Sequence, residues 1–410
     1  MLKRQQLSPK EIAAGHDLSE IICLKPFYLM EFTTSGKVYT CCPSWIKFPI
    51  GDIRKNTIAG IWNSSRARFI RRKMYRGEWT DICNPICPRI SEYRHDNKVI
   101  FHEYFDRFDI LPPGLIDEIK NRRDFLETPP TAFNLSNSRV CNLSCIMCDR
   151  ATQSDDPELI EKTAREIVAH LPRTKKLILT GMGEPLARLD TRRLLMNTDS
   201  RYHGIGFDLI TNGLLLTRYW EKIKHQKFGT LLLSVDAASR ETYEKIRIGG
   251  SWETLHESLA CMRENRGRFS CITMNMTVMR HNFREIPQFI DLAESFGFHV
   301  SFQRIRGQCG DQNFFEMPDT AAVHALDRIV QEEKARRRDI YIFWGDLSET
   351  DHSIMYPVEV RKGFYTHVKD RLLPEQTMRR AAAKATYHAV MNSMKFLKTS
   401  LFTPSKNKTN

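Results

Sequence analysis

At 410 residues and 41% hydrophobic content, the chain is long enough for about two to three domains with a substantial core. Its 62 Lys and Arg against 49 Asp and Glu give a formal charge of +13, yet the opening Met1-Leu2-Lys3-Arg4-Gln5-Gln6 lacks an apolar signal core, and no run approaches the roughly 20 apolar residues of a transmembrane helix. A cytoplasmic chain is expected, and there eleven cysteines favour metal binding over disulfides.

The first cysteine group comprises Cys23, Cys41, Cys42, Cys83 and Cys87, with Gly36 between the first two and Ile61-Trp62-Asn63 in the gap before Cys83. Soft thiolates suit zinc and iron–sulfur clusters alike, so these residue types leave a structural zinc site open beside an iron–sulfur one. Residues Pro112 to Glu127 read as a connecting helix stopped by Pro129-Pro130. The expected organisation is a cysteine-rich domain over 1–110, a linker over 111–130, a second domain over 131–345 and an extension over 346–410.

Thr131 to Ser136 reads as a short strand, followed by the loop Cys141-Asn142-Leu143-Ser144-Cys145-Ile146-Met147-Cys148. Zinc sites pair CxxC with a distant second pair or with closely spaced histidines, and no His lies near this loop. Iron–sulfur clusters normally take four cysteines, so three ligands leave one iron open to another molecule. Leu159, Ile160, Ala164, Ile167, Val168 and Leu171 then recur at helical spacing, and the strand Lys176 to Thr180 runs into Gly181-Met182-Gly183-Glu184-Pro185. Strands over Ile205 to Thr211, Thr230 to Val235, Ile272 to Met279 and Val300 to Ile305 alternate with helical patterns, the last over Thr320 to Arg337. Six βα units imply a parallel sheet with helices outside it.

CxxxCxxC in the loop after the first strand of such a series resembles the signature of the radical SAM enzymes, whose fold is an open, partial (β/α)6 TIM-like barrel. The resemblance implies a 4Fe-4S cluster on Cys141, Cys145 and Cys148, its free iron binding the amino and carboxylate groups of S-adenosylmethionine. GMGEP resembles the family's GGEP segment, which places Gly181, Gly183 and Glu184 at the methionyl amino group. Asn212 and Asp236 fall where ribose hydroxyls are bonded, and Ser234 and Arg247, in a YEKIR stretch, where the methionyl carboxylate lies. Met147 stands where an aromatic residue often stacks on adenine; its flexible thioether packs in place of a ring. The upstream cysteines resemble the SPASM or twitch domain, which implies a second, auxiliary 4Fe-4S cluster on Cys23, Cys41, Cys83 and Cys87, with Cys42 a spare or a substitute. In most relatives that domain follows the barrel; in this chain it precedes it.

By this resemblance the chain is an oxidoreductase or maturase that cleaves S-adenosylmethionine reductively, using an external electron donor such as flavodoxin or ferredoxin. A 5′-deoxyadenosyl radical then takes hydrogen from a substrate, and relatives with such domains often act on peptides or proteins. The residues leave two alternatives, a non-catalytic iron–sulfur electron-transfer protein and a zinc-stabilised binding module. From Lys362 onward ten Lys or Arg stand against two acids, so that stretch carries +8 of the +13. Tyr387, Met391, Met394, Leu397 and Leu401 set a helical stripe in it, which suits packing on the barrel with a basic face toward solvent or an acidic partner. Nucleic acid is the least favoured partner for want of a recognition motif. Cys261, Cys271 and Cys309 read as small buried hydrophobes, and for Cys309, in the loop after the sixth strand, facing the substrate is the less favoured alternative.

Overall fold

The β-branched and aromatic runs between Gly, Pro and Asn breaks form strands, and in the computed structural model they assemble into one sheet. The structure describes residues 23–84, 87, 110–148, 155–180, 182–197, 204–307, 309–316 and 319–347. The extension from Lys362 and its helical stripe lie outside the described residues. In chain order the strands are β1 (Leu29–Thr33), β2 (Lys37–Tyr39), β3 (Gly51–Asp52), β4 (Ala132–Ser136), β5 (Lys176–Leu179), β6 (Gly206–Thr211), β7 (Lys227–Ser234), β8 (Cys271–Val278), β9 (His299–Arg304) and β10 (Ile342–Phe343). Their order across the sheet is β10-β9-β8-β7-β6-β5-β4-β1-β2-β3. From β4 to β9 every neighbouring pair is parallel, with helices Pro157–His170, Leu189–Asn197, Leu216–Ile223, Trp252–Glu264 and Ile286–Phe296 in the crossovers. These six strands are the partial (β/α)6 barrel.

One face of the barrel strands packs on the helices. Phe133, Leu177, Leu209, Leu233, Met274 and Phe302 alternate onto it and are at most 1% exposed. Each fully buried side chain of this size contributes about 1.5–3 kcal/mol, so the helix layer holds most of the core. The opposite, inward face is different in kind. Asn134, Ser136, Asp208, Ser234 and Thr277 lie on it half-buried, and Gln303 is exposed. A packed barrel interior is filled by bulky apolar side chains; here polar residues share the inward face with Ile178, Ile210 and Leu232, beside the Lys176–Asp208 ion pair at 2.9 Å.

The N-terminal segment is part of the same sheet. β1 lies parallel to β4 in register from Leu29 opposite Ala132 to Thr33 opposite Ser136, and β2 turns back antiparallel through Gly36, whose φ of 74° suits glycine. Arg71 fastens this segment from within: its guanidinium lies over the Trp62 ring at 4.2 Å and donates to the carbonyls of Pro26, Trp62 and Asp124 and to Asn63 Oδ1. The sheet also curls far enough for its ends to meet, since Arg306, after β9, covers the Trp45 ring at 4.6 Å.

The connecting helix is shorter than the sequence suggests. It spans Pro113–Lys120 and ends well before the prolines. Arg122 turns the chain with φ 51°, and the buried Glu118 carboxylate accepts the N–H groups of Glu127 at 2.7 Å and Thr128 at 3.3 Å, folding the strand-bound segment back on the helix. That local hydrogen bonding outcompetes further helix. Among the described residues no helix is long and apolar enough to cross a membrane.

Candidate functional site

The cysteine loop leaves the end of β4 and is laced to three other segments. Arg139 N–H donates to Asp155 Oδ1 at 2.8 Å, the Val140 carbonyl accepts the Glu184 N–H at 2.8 Å, and the N–H groups of Ser144 and Ile146 donate to the carbonyls of Ile248 and Ile246. Cys141 is half-buried, Cys145 buried and Cys148 exposed. The Cys145 thiol is pushed up, first by its hydrogen bond with Cys148 and then by burial. Among the described residues no three Cys, His, Asp or Glu groups converge on a point for a single metal ion.

Gly183 sits against the loop's entry, where a Cβ would lie 2.3 Å from the Val140 carbonyl oxygen and 3.0 Å from that of Ser138. Its close approach is to the protein's own backbone. Gly183→Ala is expected to destabilise the chain by about 3 kcal/mol, the upper end for overpacking, read as a lower urea midpoint. Gly267→Ala, with nothing within 4 Å of the added Cβ, is the control and should shift it little.

Glu184 is 1% exposed. Its carboxylate accepts from Leu186 N–H at 3.0 Å and Thr211 Oγ1 at 2.7 Å on one oxygen and from Asn212 N–H at 2.8 Å on the other. Burial raises its pKa, and these donors partly offset the rise. A carboxylate offers about four lone-pair sites, so three donors leave one. Asn212, thus anchored, donates from Nδ2 to Asn142 Oδ1 at 2.9 Å and to Cys141 Sγ at 3.7 Å.

Asp236 and Arg247 form a buried ion pair at 2.5 Å, with Asp236 fully buried. Asp236 holds φ 67°, a conformation costing a non-glycine residue of order 1–3 kcal/mol and concentrated at functional sites. Its other carboxylate oxygen accepts Thr277 N–H at 2.6 Å, and Asn282 Nδ2 donates to its carbonyl at 2.8 Å. Arg247 also donates to Cys145 Sγ at 3.8 Å. Burial works against its charge, but Asp236, with Cys145 and Tyr243, raises its pKa above the ordinary value. Arg247 Nε and Tyr243 Oη are buried without a hydrogen-bond partner, an uncommon state for buried polar atoms.

The structure thus brings Cys141 to Asn212 and Cys145 to Arg247, with Asp236 and Glu184 behind them. Ser234 ends β7 on the inward face, opposite Asn275, and Met147 is half-buried against the core. Gly181 lies outside the described residues. Tyr243 and Asn142 carried no role in the sequence; only their adjacency to Arg247 and Asn212 in space identifies them.

The N-terminal cysteines gather where two segments clasp. The Cys42 carbonyl accepts the N–H groups of Trp45 and Ile46, Lys47 N–H donates to Ile82 O, and Asn84 N–H donates to Trp45 O. Cys41 is pushed well up by burial, against the pull of Lys25, and by Cys23, Cys87 and Cys42 beside it. Cys83 is raised by burial and by Cys23 and Cys87. Cys42 feels burial and then Glu31 and Ser44 instead. Cys23 and Cys87 thus act on both Cys41 and Cys83, while Cys42, which also acts on Cys41, has Glu31 and Ser44 as its own neighbours. Elsewhere Cys271 is buried, whereas Cys261 and Cys309 are half-buried.

Residues 136–293 match the radical SAM superfamily, and residues 23–88 match the SPASM family, an iron–sulfur cluster-binding domain. The chain is 25% identical over 220 residues to a probable GTP 3′,8-cyclase of Methanococcus maripaludis, covering 51% of this chain and 67% of the relative. It is 24% identical over 197 residues to the mycofactocin maturase MftC of Mycobacterium tuberculosis, covering 47% of this chain and 48% of the relative. It therefore spans about half the length of that maturase. Among solved structures, Streptococcus suis SuiB bound to S-adenosylmethionine is similar at 16% identity and a TM-score of 0.41, covering 69% of this chain and 64% of that one.

Proposed function

We propose that this chain, which carries a radical SAM domain with an iron–sulfur cluster-binding domain ahead of it, cleaves S-adenosylmethionine reductively and takes a hydrogen atom from a peptide or protein substrate. The two domains imply a 4Fe-4S cluster with S-adenosylmethionine and an additional cluster. The observation that carries the proposal is the meeting of the three-cysteine loop with Asn212, Arg247 and the unpartnered Arg247 Nε and Tyr243 Oη. Thiolates in this number, with polar groups free beside them, fit a cluster with an open iron and a zwitterionic ligand.

When bound, the reduced cluster and S-adenosylmethionine supply a 5′-deoxyadenosyl radical through homolytic carbon–sulfur cleavage. The protein's part is binding, orientation and exclusion of competing reactions. Cys141, Cys145 and Cys148 hold the cluster. Glu184 has one acceptor position left for an ammonium, while its other three fix the ends of β5 and β6. Arg247, held by Asp236, presents its free Nε to a carboxylate. Asn212 takes a ribose hydroxyl, whereas Asp236, expected from the sequence to do the same, is fully buried and engaged with Arg247 and Thr277 and so acts by holding Arg247; Ser234 adds a donor to the carboxylate, Gly181 and Gly183 shape the amino-group side, and Met147 packs on adenine. Cys23, Cys41, Cys83 and Cys87 hold the auxiliary cluster, with Cys41 preferred to Cys42 because Cys41 is the one beside Cys23 and Cys87. An external flavodoxin or ferredoxin supplies the electron, and the proposed location is the cytoplasm. The maturase relative supports a peptide substrate.

The test is anaerobic reconstitution, chemical reduction and addition of S-adenosylmethionine. Slow formation of 5′-deoxyadenosine and methionine in equal amounts is expected without substrate. Zinc without acid-labile sulfide in the native protein, or a cluster-loaded protein inert toward S-adenosylmethionine, would refute the proposal.

A further inference from the structure

The potential of an iron–sulfur cluster follows its net charge, the hydrogen bonds to its sulfurs and its exposure to solvent. At the three-cysteine loop two side chains donate to ligand sulfurs. Asn212 Nδ2 lies 3.7 Å from Cys141 Sγ. Arg247 donates from Nη1 to Cys145 Sγ at 3.8 Å, while its Nη2 pairs with Asp236 Oδ2 at 2.5 Å.

The contact between Arg247 and Cys145 is shut off from water: Cys145 is 5% exposed, Arg247 8% and Asp236 0%. Buried charges are screened far less than surface ones, so the sign of each charge beside that sulfur is felt by the loop. A guanidinium is not deprotonated in a protein. Arg247 therefore brings a permanent cation, and Asp236 the anion that neutralises it, so the pair adds no net charge but keeps an N–H on the sulfur. Its anchorage does not need the sulfur. Asp236 is held by Thr277 N–H at 2.6 Å and by Asn282 Nδ2 at its carbonyl, and Arg247 N–H donates to the Tyr243 carbonyl at 2.7 Å.

We propose that Arg247, with Asp236 behind it, sets the reduction potential of the cluster on Cys141, Cys145 and Cys148: the guanidinium N–H on Cys145 Sγ raises it, and the Asp236 carboxylate limits the rise. This rests on the function proposed above and deepens it by giving Arg247 a second role beside that of carboxylate binding. One-electron reduction adds a negative charge that the cluster shares with its ligand sulfurs. A donor on such a sulfur therefore stabilises the reduced form more than the oxidised one, and an anion behind that donor does the reverse. The electron passes from the external donor to the cluster, with no proton transferred and no bond broken. Asn212, an uncharged donor on Cys141, acts in the same direction with a smaller effect, since hydrogen bonds from charged donors are about twice as strong.

The test is a redox titration of the reconstituted full chain without S-adenosylmethionine, followed by electron paramagnetic resonance. The loop cluster's signal is the one missing from Cys141→Ala/Cys145→Ala/Cys148→Ala, and the second cluster serves as internal reference. Arg247→Met/Asp236→Asn removes the donor at constant net charge, and replacing both members of a buried pair leaves no lone buried ion. Its loop cluster should be about tenfold harder to reduce, a midpoint lower by about 59 mV for one electron. Asp236→Asn alone keeps the donor and strips its counter-charge, and asparagine tolerates the left-handed backbone at that position. It should raise the midpoint by a similar amount. The second cluster should stay unmoved in both variants. Shifts of one sign in the two variants, equal shifts in both clusters, or an unmoved loop potential would overturn the assignment. Where the double variant does not load the loop cluster, Asp236→Asn decides alone; failure of both to load it while the second cluster forms means a purely structural pair and also overturns the assignment. A parent chain whose loop cluster and variants titrate as expected but which leaves S-adenosylmethionine intact rejects the proposed function and not this role of Arg247, whereas a parent with no loop cluster rejects both.

Discussion

Replacing Cys141, Cys145 and Cys148 with alanine is expected to remove about half of roughly eight irons from the reconstituted protein and to abolish S-adenosylmethionine cleavage. The number follows from two separated cysteine groups that each hold one four-iron cluster. The loop's fold should survive, because its position depends on backbone bonds from Val140, Ser144 and Ile146 rather than on the thiols. Arg139 N–H likewise remains bonded to Asp155. Iron and acid-labile sulfide analysis, paired with quantification of 5′-deoxyadenosine, reads both effects. Loss of all iron, or unaltered iron with cleavage intact, would contradict the assignment of the open cluster to this loop.

Replacing Cys83 and Cys87 together should have the opposite profile. Uncoupled cleavage is expected to persist while turnover of the true substrate falls below detection. On the proposed reading, radical initiation needs the three-cysteine loop with Asn212 and Arg247, and the bonds at that loop run among Cys141, Cys145, Asn212, Asp236 and Arg247. On that reading, a fully ligated second cluster would act later, as electron acceptor or as support for the segment that carries β1. Circular dichroism must first show that the barrel remains folded. Complete loss of cleavage in such a protein, with its first cluster intact, would mean that the N-terminal site takes part in initiation.

The barrel was legible because its signals are local. The apolar run Leu231 to Leu233, the alternation from Met274 to Val278, and the helical recurrence of Leu255, Leu259 and Met262 fall within single elements. The joining of β1 to β4 was not legible, since Glu31 and Asn134 meet across about a hundred residues of chain and the run Leu29–Thr33 is short. The connecting helix was read too long because the competing acceptor, Glu118, is helical in its own right and its partners at Glu127 and Thr128 carry no sequence signal. At the site, the spacing of Cys141, Cys145 and Cys148 and the placement of Glu184 and Arg247 were visible. Their mutual fastening was not: the Asp236–Arg247 pair depends on a left-handed residue that only the three-dimensional chain reveals. Adjacent Cys41 and Cys42 carry no distinguishing signal in the sequence; in the fold Cys23 and Cys87 act on Cys41, and Glu31 and Ser44 on Cys42.

The central claim is that the iron left open by the three-cysteine loop binds S-adenosylmethionine. Electron–nuclear double resonance on the reduced Cys83→Ala/Cys87→Ala protein, with one cluster remaining, tests it most directly. S-adenosylmethionine labelled with 15N in the amino group and 17O in the carboxylate should show hyperfine coupling to that cluster, and the coupling should be weakened in Arg247→Ala. A cluster whose spectrum shows no coupling to either label would contradict the account.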